Sequence, residues 1–292
     1  MLLNRRISIL YFIKLIKWQI LYVVIFALII GFLHIREEFT GINIPLSILA
    51  LMGTVVSVLL AFRTSQSYER WWEARIVWGA IVNDSRTLIR NVIQFLPDDT
   101  DEQKKIAERQ IIWVHLLGET LRKLPYSQKV DEYLMLHKIG AANLPNAILD
   151  EHSQQINRLV RQGKISEFQQ FQLNDVITRL CDSMGKCERI KNTVFPRSYS
   201  IILHTLIYTF TALLPFGLDH SQFITEIVIS IIIPLVFIAV EKTAIIMQDP
   251  FENLPVDTPM TSIAQTIEIN IRQMMGEKDV PAKVDKGLYY EM

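Results

Sequence analysis

The chain lacks most of what a secreted domain or a soluble enzyme would show. Its 292 residues include two cysteines, Cys181 and Cys187. Their spacing fits neither a redox pair nor a zinc knuckle, so both read as reduced packing residues. The six histidines are scattered without ligand spacing, which argues against zinc. His204 and His34 therefore read as hydrogen-bonded single residues rather than proton or metal sites. Net charge is absent too, with 30 basic residues against 30 acidic ones, so no global field recruits nucleic acid. No Gly-rich phosphate loop, nucleophile elbow or paired His-Glu motif occurs, and nothing supports an enzyme.

One local absence is more telling. Residues 44–62 carry no charge over roughly 19 positions, about what a helix needs to cross the hydrocarbon of a bilayer. Half of the residues are apolar, yet 21% are charged, so the composition implies a membrane part and a water-exposed part in one chain. Four spans are expected. The first covers about 18–33 after Arg5, Arg6, Lys14 and Lys17, and is too long for a cleaved signal peptide and lacks its small-residue site. The second is 44–62, with Pro45 in its first turn. The third covers about 198–216. The fourth, about 223–240, has Glu226 near its start and Pro234 inside it, where neighbouring helices can satisfy the freed carbonyl.

Lysine and arginine cluster before the first span, after the second and before the third, and are missing from residues 219–222. This asymmetry places both termini in the cytoplasm, and the loop at 36–38, with one arginine and two glutamates, does not oppose it. The divisions are 1–62 (N-terminal segment and spans one and two), 63–197 (cytosolic helical domain), 198–247 (spans three and four) and 248–292 (cytosolic strip, helix and tail). In the cytosolic block, helical spacing predicts helices to about residue 96, then over about 102–124, 131–138, 145–161 and 165–192, with breaks at Pro97–Thr100 and Gly163. An amphipathic helix is expected over about 260–275. The fold class is all-α.

Two stripes run along span two. Gly53, Ser57 and Ala61 recur every fourth residue and allow close helix approach in lipid. Beside them, Thr54, Val58 and Phe62 recur at the same interval. If several copies ring an axis, the second stripe faces the lumen as stacked rings that gate by dewetting. Plain core in a helical bundle explains both stripes as well, and spacing does not choose. Asp175, Asp182 and Glu167 read either as a cation-concentrating vestibule or as a solvated helix face. Glu69, Arg70, Glu73 and Arg75 read as intersubunit ion pairs or as pairs within one helix.

Three motifs narrow the choice. The run 70–78, Arg-Trp-Trp-Glu-Ala-Arg-Ile-Val-Trp, is followed by 187–193, Cys-Glu-Arg-Ile-Lys-Asn-Thr, with Pro196 close behind, and by 214–218, Leu-Pro-Phe-Gly-Leu. In order and spacing, from about residue 20 to about 260, the chain resembles the bacterial bestrophin family. The resemblance implies a ring-shaped homopentamer in the bacterial inner membrane. Each subunit would have four membrane helices continuous with a large cytosolic helical domain, and one central pore would be lined mainly by the second helix. The family's three-residue neck ends eight positions before the Arg-Trp-Trp motif, which here gives Thr54, Val58 and Phe62; the first departs from the usual apolar residue. A second, cytosolic constriction falls at Phe168 or Gln169. Eukaryotic members clasp calcium after the fourth span, but 250–257 here keep the Pro-Phe start with scattered carboxylates, too few oxygens for that ion. The expected function is passive transport of monovalent ions, sodium or potassium favoured over chloride, without cofactor. A non-conducting membrane scaffold or receptor that binds a partner through its cytosolic helices is the alternative.

Overall fold

The computed structural model describes residues 13–35, 44–193, 195–218, 223–278 and 280–282, and all regular structure among them is helical. The helices are α1 (Lys17–Ile35), α2 (Leu46–Phe95), α3 (Thr100–Arg122), α4 (Gln128–Leu136), α5 (Leu144–Arg161), α6 (Glu167–Asn192), α7 (Arg197–Leu213), α8 (Phe223–Met247) and α9 (Met260–Met274); a 3-10 turn, Leu214–Gly217, follows α7. The expected loops at 36–38 and 219–222, the His34 side chain and the end of the tail lie outside the described residues. The chain divides into two compact units. One is built from α1, the first part of α2, α7 and α8; the other takes Trp71–Thr193 and the described residues from Asp249 on.

The first unit is built from long apolar helices. Among the described residues three helices are long and apolar enough to cross a membrane, Leu46–Phe95, Arg197–Gly217 and Ile224–Met247; the apolar part of α1, Lys17–Leu33, is shorter. Val23 of α1, Val56 and Leu60 of α2, Leu203 and Ile207 of α7 and Ile238 of α8 form one buried cluster. Each comes from the inner stripe of its helix, so the opposite stripes are left outward. The 3-10 turn closes against the start of α2, where the Ile44 amide donates to the Phe216 carbonyl at 3.0 Å. Gly217 has no room for a side chain: a Cβ there would overlap buried Leu49 and lie 3.1 Å from the Ile44 carbonyl oxygen. Gly217→Ala should therefore cost about 1–3 kcal/mol through overpacking, read as a lower thermal midpoint of the purified protein.

The second unit has a core of larger side chains, with Trp78, Ile81, Leu88 and Ile89 of α2, Trp113, Leu116 and Leu117 of α3, and Ile148 and Ile156 of α5 all buried. Its helix ends follow local chemistry. Asp99 caps α3 by accepting from the Glu102 amide at 3.2 Å, and Ser166 with Gln169 forms a capping box that starts α6. Gly163, at a φ of 65°, makes the left-handed step between α5 and α6. The C-terminal helix shares this core: Met260, Ile263, Ile267 and Ile271 of α9 are buried with α3, and Gly118 leaves space for Met260. Cys187 is fully buried, and burial pushes its thiol up to about 12, as suits a packing residue.

Candidate pore helix and its clamps

Along α2 the burial pattern separates two sides. Val56, Leu60, Arg63 and Ser67 are buried against α2's own bundle. Thr54, Val58 and Phe62 are exposed, the last two at 47% and 62%. Leaving three large or branched residues at one helical spacing uncovered in an apolar helix is the signature of a surface completed by something else. The Thr54 hydroxyl donates back to the Ala50 carbonyl at 2.8 Å. Its proton is used, while the oxygen can still accept from outside.

The small-residue stripe splits. A Cβ on Gly53 would lie 3.4 Å from Phe210 of α7, so Gly53 serves packing within the subunit. Ser57 and Ala61 are exposed and border a groove of about 560 Å³ with Tyr68 of α2 and Val236, Val240 and Met247 of α8. The Ser57 hydroxyl is tied to the Gly53 carbonyl at 2.8 Å.

One residue after Phe62 the lining changes character. Arg63 donates to Glu241 Oε1 at 3.1 Å, and both side chains are almost fully enclosed. His204 Nε2 of α7 lies 2.9 Å from the same oxygen. His204 is thus hydrogen-bonded, and its partner is the carboxylate that also pairs with Arg63. Arg63 and Glu241 escape a reading of the sequence because the first opens a segment rich in charge, and the second falls beyond the expected end of span four. The signal that could have found them is the pairing of opposite charges just past two apolar runs.

In the second unit, Phe168 is 70% exposed, and so is Phe171, less than one turn on. Gln169 instead hydrogen-bonds the Ser166 amide at 2.8 Å through its side-chain oxygen. Glu167, Asp175 and Asp182 are all exposed on α6, though Asp175 is ion-paired with Arg179. Glu73 is met from another helix of the same subunit: Arg189 of α6 reaches it at 2.6 Å.

The strip after α8 has its cation built in. Lys191 Nζ lies 2.7 Å from Asp249 Oδ2 and 3.0 Å from Glu252 Oε1. Burial works to lower the Lys191 pKa, but the two carboxylates outweigh it and hold the ammonium protonated. Among the described residues no group of three or more His, Cys, Asp or Glu stands close enough to hold a metal. Trp71 Nε1 donates to the Val256 carbonyl at 2.8 Å and ties the strip to α2. Next to it Asp257 is buried, accepting from the Leu254 amide at 2.9 Å, and burial raises its pKa to about 6. A carboxyl with a raised folded-state value contributes most below its unfolded value near 4, and loses that contribution as pH rises through about 6. Asp257→Asn should thus be the more stable form at pH 8 by about 2–3 kcal/mol, with the difference in thermal midpoint vanishing toward pH 4.

The family described as "Bacterial/Fungal Bestrophin protein" matches residues 5–273. The chain belongs to that family. This bestrophin is 33% identical over 256 residues to the voltage-dependent anion channel-forming protein YneE of Escherichia coli K12, covering 86% of this chain and 84% of that one. It is 28% identical to the voltage-dependent anion channel-forming protein RSc3414 of Ralstonia nicotianae, covering 84% and 82%. Its fold superposes on the crystal structure of a bacterial bestrophin homolog from Klebsiella pneumoniae with a TM-score of 0.84 at 28% identity, covering 90% of this chain and all of that one. The bestrophin fold thus accounts for the all-helical chain and its apolar helices.

Proposed function

We propose that this bestrophin is a passive ion channel of the bacterial inner membrane with both termini in the cytoplasm. Five copies ring an axis lined by the exposed side of α2, with Thr54, Val58 and Phe62 as the stacked rings of the neck. The observation that carries the reading is that the subunit leaves these three side chains uncovered on the side of α2 opposite its own buried contacts. The groove beside Ser57 and Ala61 supplies a seat for the adjacent copy. Phe168, with Phe171, is the candidate for the cytosolic constriction; Gln169, tied to the cap of α6, is less free to serve.

The permeant ions are monovalent, with sodium and potassium favoured. The Thr54 oxygen keeps a lone pair for a partly dehydrated cation, and Glu167 and Asp182 lie exposed on α6. A second reading, anion selectivity, is favoured by the names of the relatives. Calcium has no part in it, because the Lys191 ammonium occupies the carboxylates of the strip; added calcium or chelator should leave the current unchanged. The test is the purified protein in planar bilayers under a sodium chloride gradient. Unitary currents reversing toward the sodium equilibrium potential support the proposal, and reversal toward that of chloride selects the second reading. No current at all returns the chain to the scaffold class.

A further inference from the structure

The helix that carries the neck is gripped at one level by other helices. Arg63 follows Phe62 directly, 100° further around α2, so the outward phenyl and the inward guanidinium fix one rotational setting together. Arg63 Nη1 donates to Glu241 Oε1 of α8 at 3.1 Å, and His204 Nε2 of α7 lies 2.9 Å from that oxygen. The guanidinium carbon also lies 5.2 Å from the centre of the Phe195 ring. One turn earlier, the Tyr199 hydroxyl of α7 donates to the Leu59 carbonyl of α2 at 2.6 Å. In a regular helix that carbonyl is the acceptor for the Arg63 amide, so α7 holds the backbone where α8 holds the side chain.

An unpaired charge beside a bilayer core is costly, and there is little water to replace a lost partner. The pair therefore has one good geometry. Turning α2 by one residue would pull Arg63 from its carboxylate and bring Ala61 or Arg63 to the position of Phe62. We propose that Arg63, Glu241, His204 and Tyr199 form a clamp that sets the rotation of α2 and so keeps Phe62 in the ion path. Arg63 and Glu241 are positioning residues for permeation, a role that rests on the neck reading above. A pair held only for stability is replaceable without loss by apolar residues; a pair that selects one rotation is not.

The test records mean current in planar bilayers for Glu241→Gln, Arg63→Lys and Tyr199→Phe, each in the native and the Phe62→Ala background, with assembly checked by native mass. Glu241→Gln is expected to raise the current about threefold or more in the native background and to change it less than about 1.5-fold once Phe62 is gone. Arg63→Lys, whose shorter ammonium cannot keep both the Glu241 and the Phe195 contacts, moves the current the same way as Glu241→Gln, and Tyr199→Phe does so by a smaller factor. Equal effects of Glu241→Gln in both backgrounds, or none in the native one, overturn the clamp. If Glu241→Gln does not assemble, Tyr199→Phe carries the same comparison, and independence from Phe62→Ala overturns the clamp there. Phe62→Ala alone reports on the neck, so failure of that reading is seen separately.

Discussion

Replacing Val58 and Phe62 together by alanine should raise the unitary current of the purified protein by roughly an order of magnitude. Both side chains stand clear of the subunit's own core, so the substitutions remove little packing within the chain and stability should change little. What they remove is the apolar wall of the neck. Water leaves a narrow apolar constriction because the wall offers nothing to replace its hydrogen bonds, and an ion crossing it sheds part of its hydration. Lowering that barrier by about 1.4 kcal/mol multiplies the crossing rate about tenfold. The single changes should rank with ring size, Phe62→Ala above Val58→Ala. Thr54→Val should act in the opposite direction, since it removes the oxygen that the first ring can offer to an ion. Unitary conductance in planar bilayers reads all of these; no change from either alanine would mean that these rings do not lie on the path.

The largest loss of stability should come from Glu268, far from that path in sequence and chemistry. This residue of α9 is buried and accepts from His115 Nε2 of α3 at 2.9 Å and from Lys129 of α4 at 2.7 Å, while Arg272 reaches its other oxygen at 3.1 Å. Burial alone would raise its pKa, but the hydrogen bonds from His115 and Lys129 outweigh burial and hold the carboxyl well below the usual carboxylate range. Removing it strands the buried His115 contact, while Lys129 and Arg272, partly exposed, are rescued by water, so the cost is about 2–3 kcal/mol. Glu268→Ala should thus release α9 from α3 and lower the thermal midpoint sharply, and Glu268→Gln should do so by less, since the amide oxygen still accepts. The sign with pH follows. A depressed carboxylate contributes its full stability above its unfolded value near 4.3 and loses it as pH falls toward the folded value. Below about pH 4 the native protein should therefore approach the Glu268→Gln variant in thermal midpoint.

Most helices were legible because their ends are written locally. The breaker at Pro97 and the acceptor at Asp99 set the start of α3, Gly163 set the turn before α6, and apolar runs set the membrane helices. The three neck candidates could be placed on one stripe from spacing, but their exposure could not, since a repeat of four describes a lumenal, lipid-facing or buried stripe equally well. What escaped was long range. Arg63 and Glu241 meet across 178 positions, and α8 runs to Met247, past the point at which its hydropathy first falls. The basic run before α7 carries an orientation signal, but Lys191 within it also bridges two carboxylates 58 and 61 positions away. Gly217 stands in the 214–218 motif, but only the approach of Leu49 and Ile44 shows why it has no side chain.

A pore between copies needs a ring before any side of α2 can be called lumenal. Native mass spectrometry of the full-length protein released from detergent measures this directly. The account expects a single species at five times the 33.8 kDa of one chain. A stable lone subunit would leave Thr54, Val58 and Phe62 facing lipid and would contradict it.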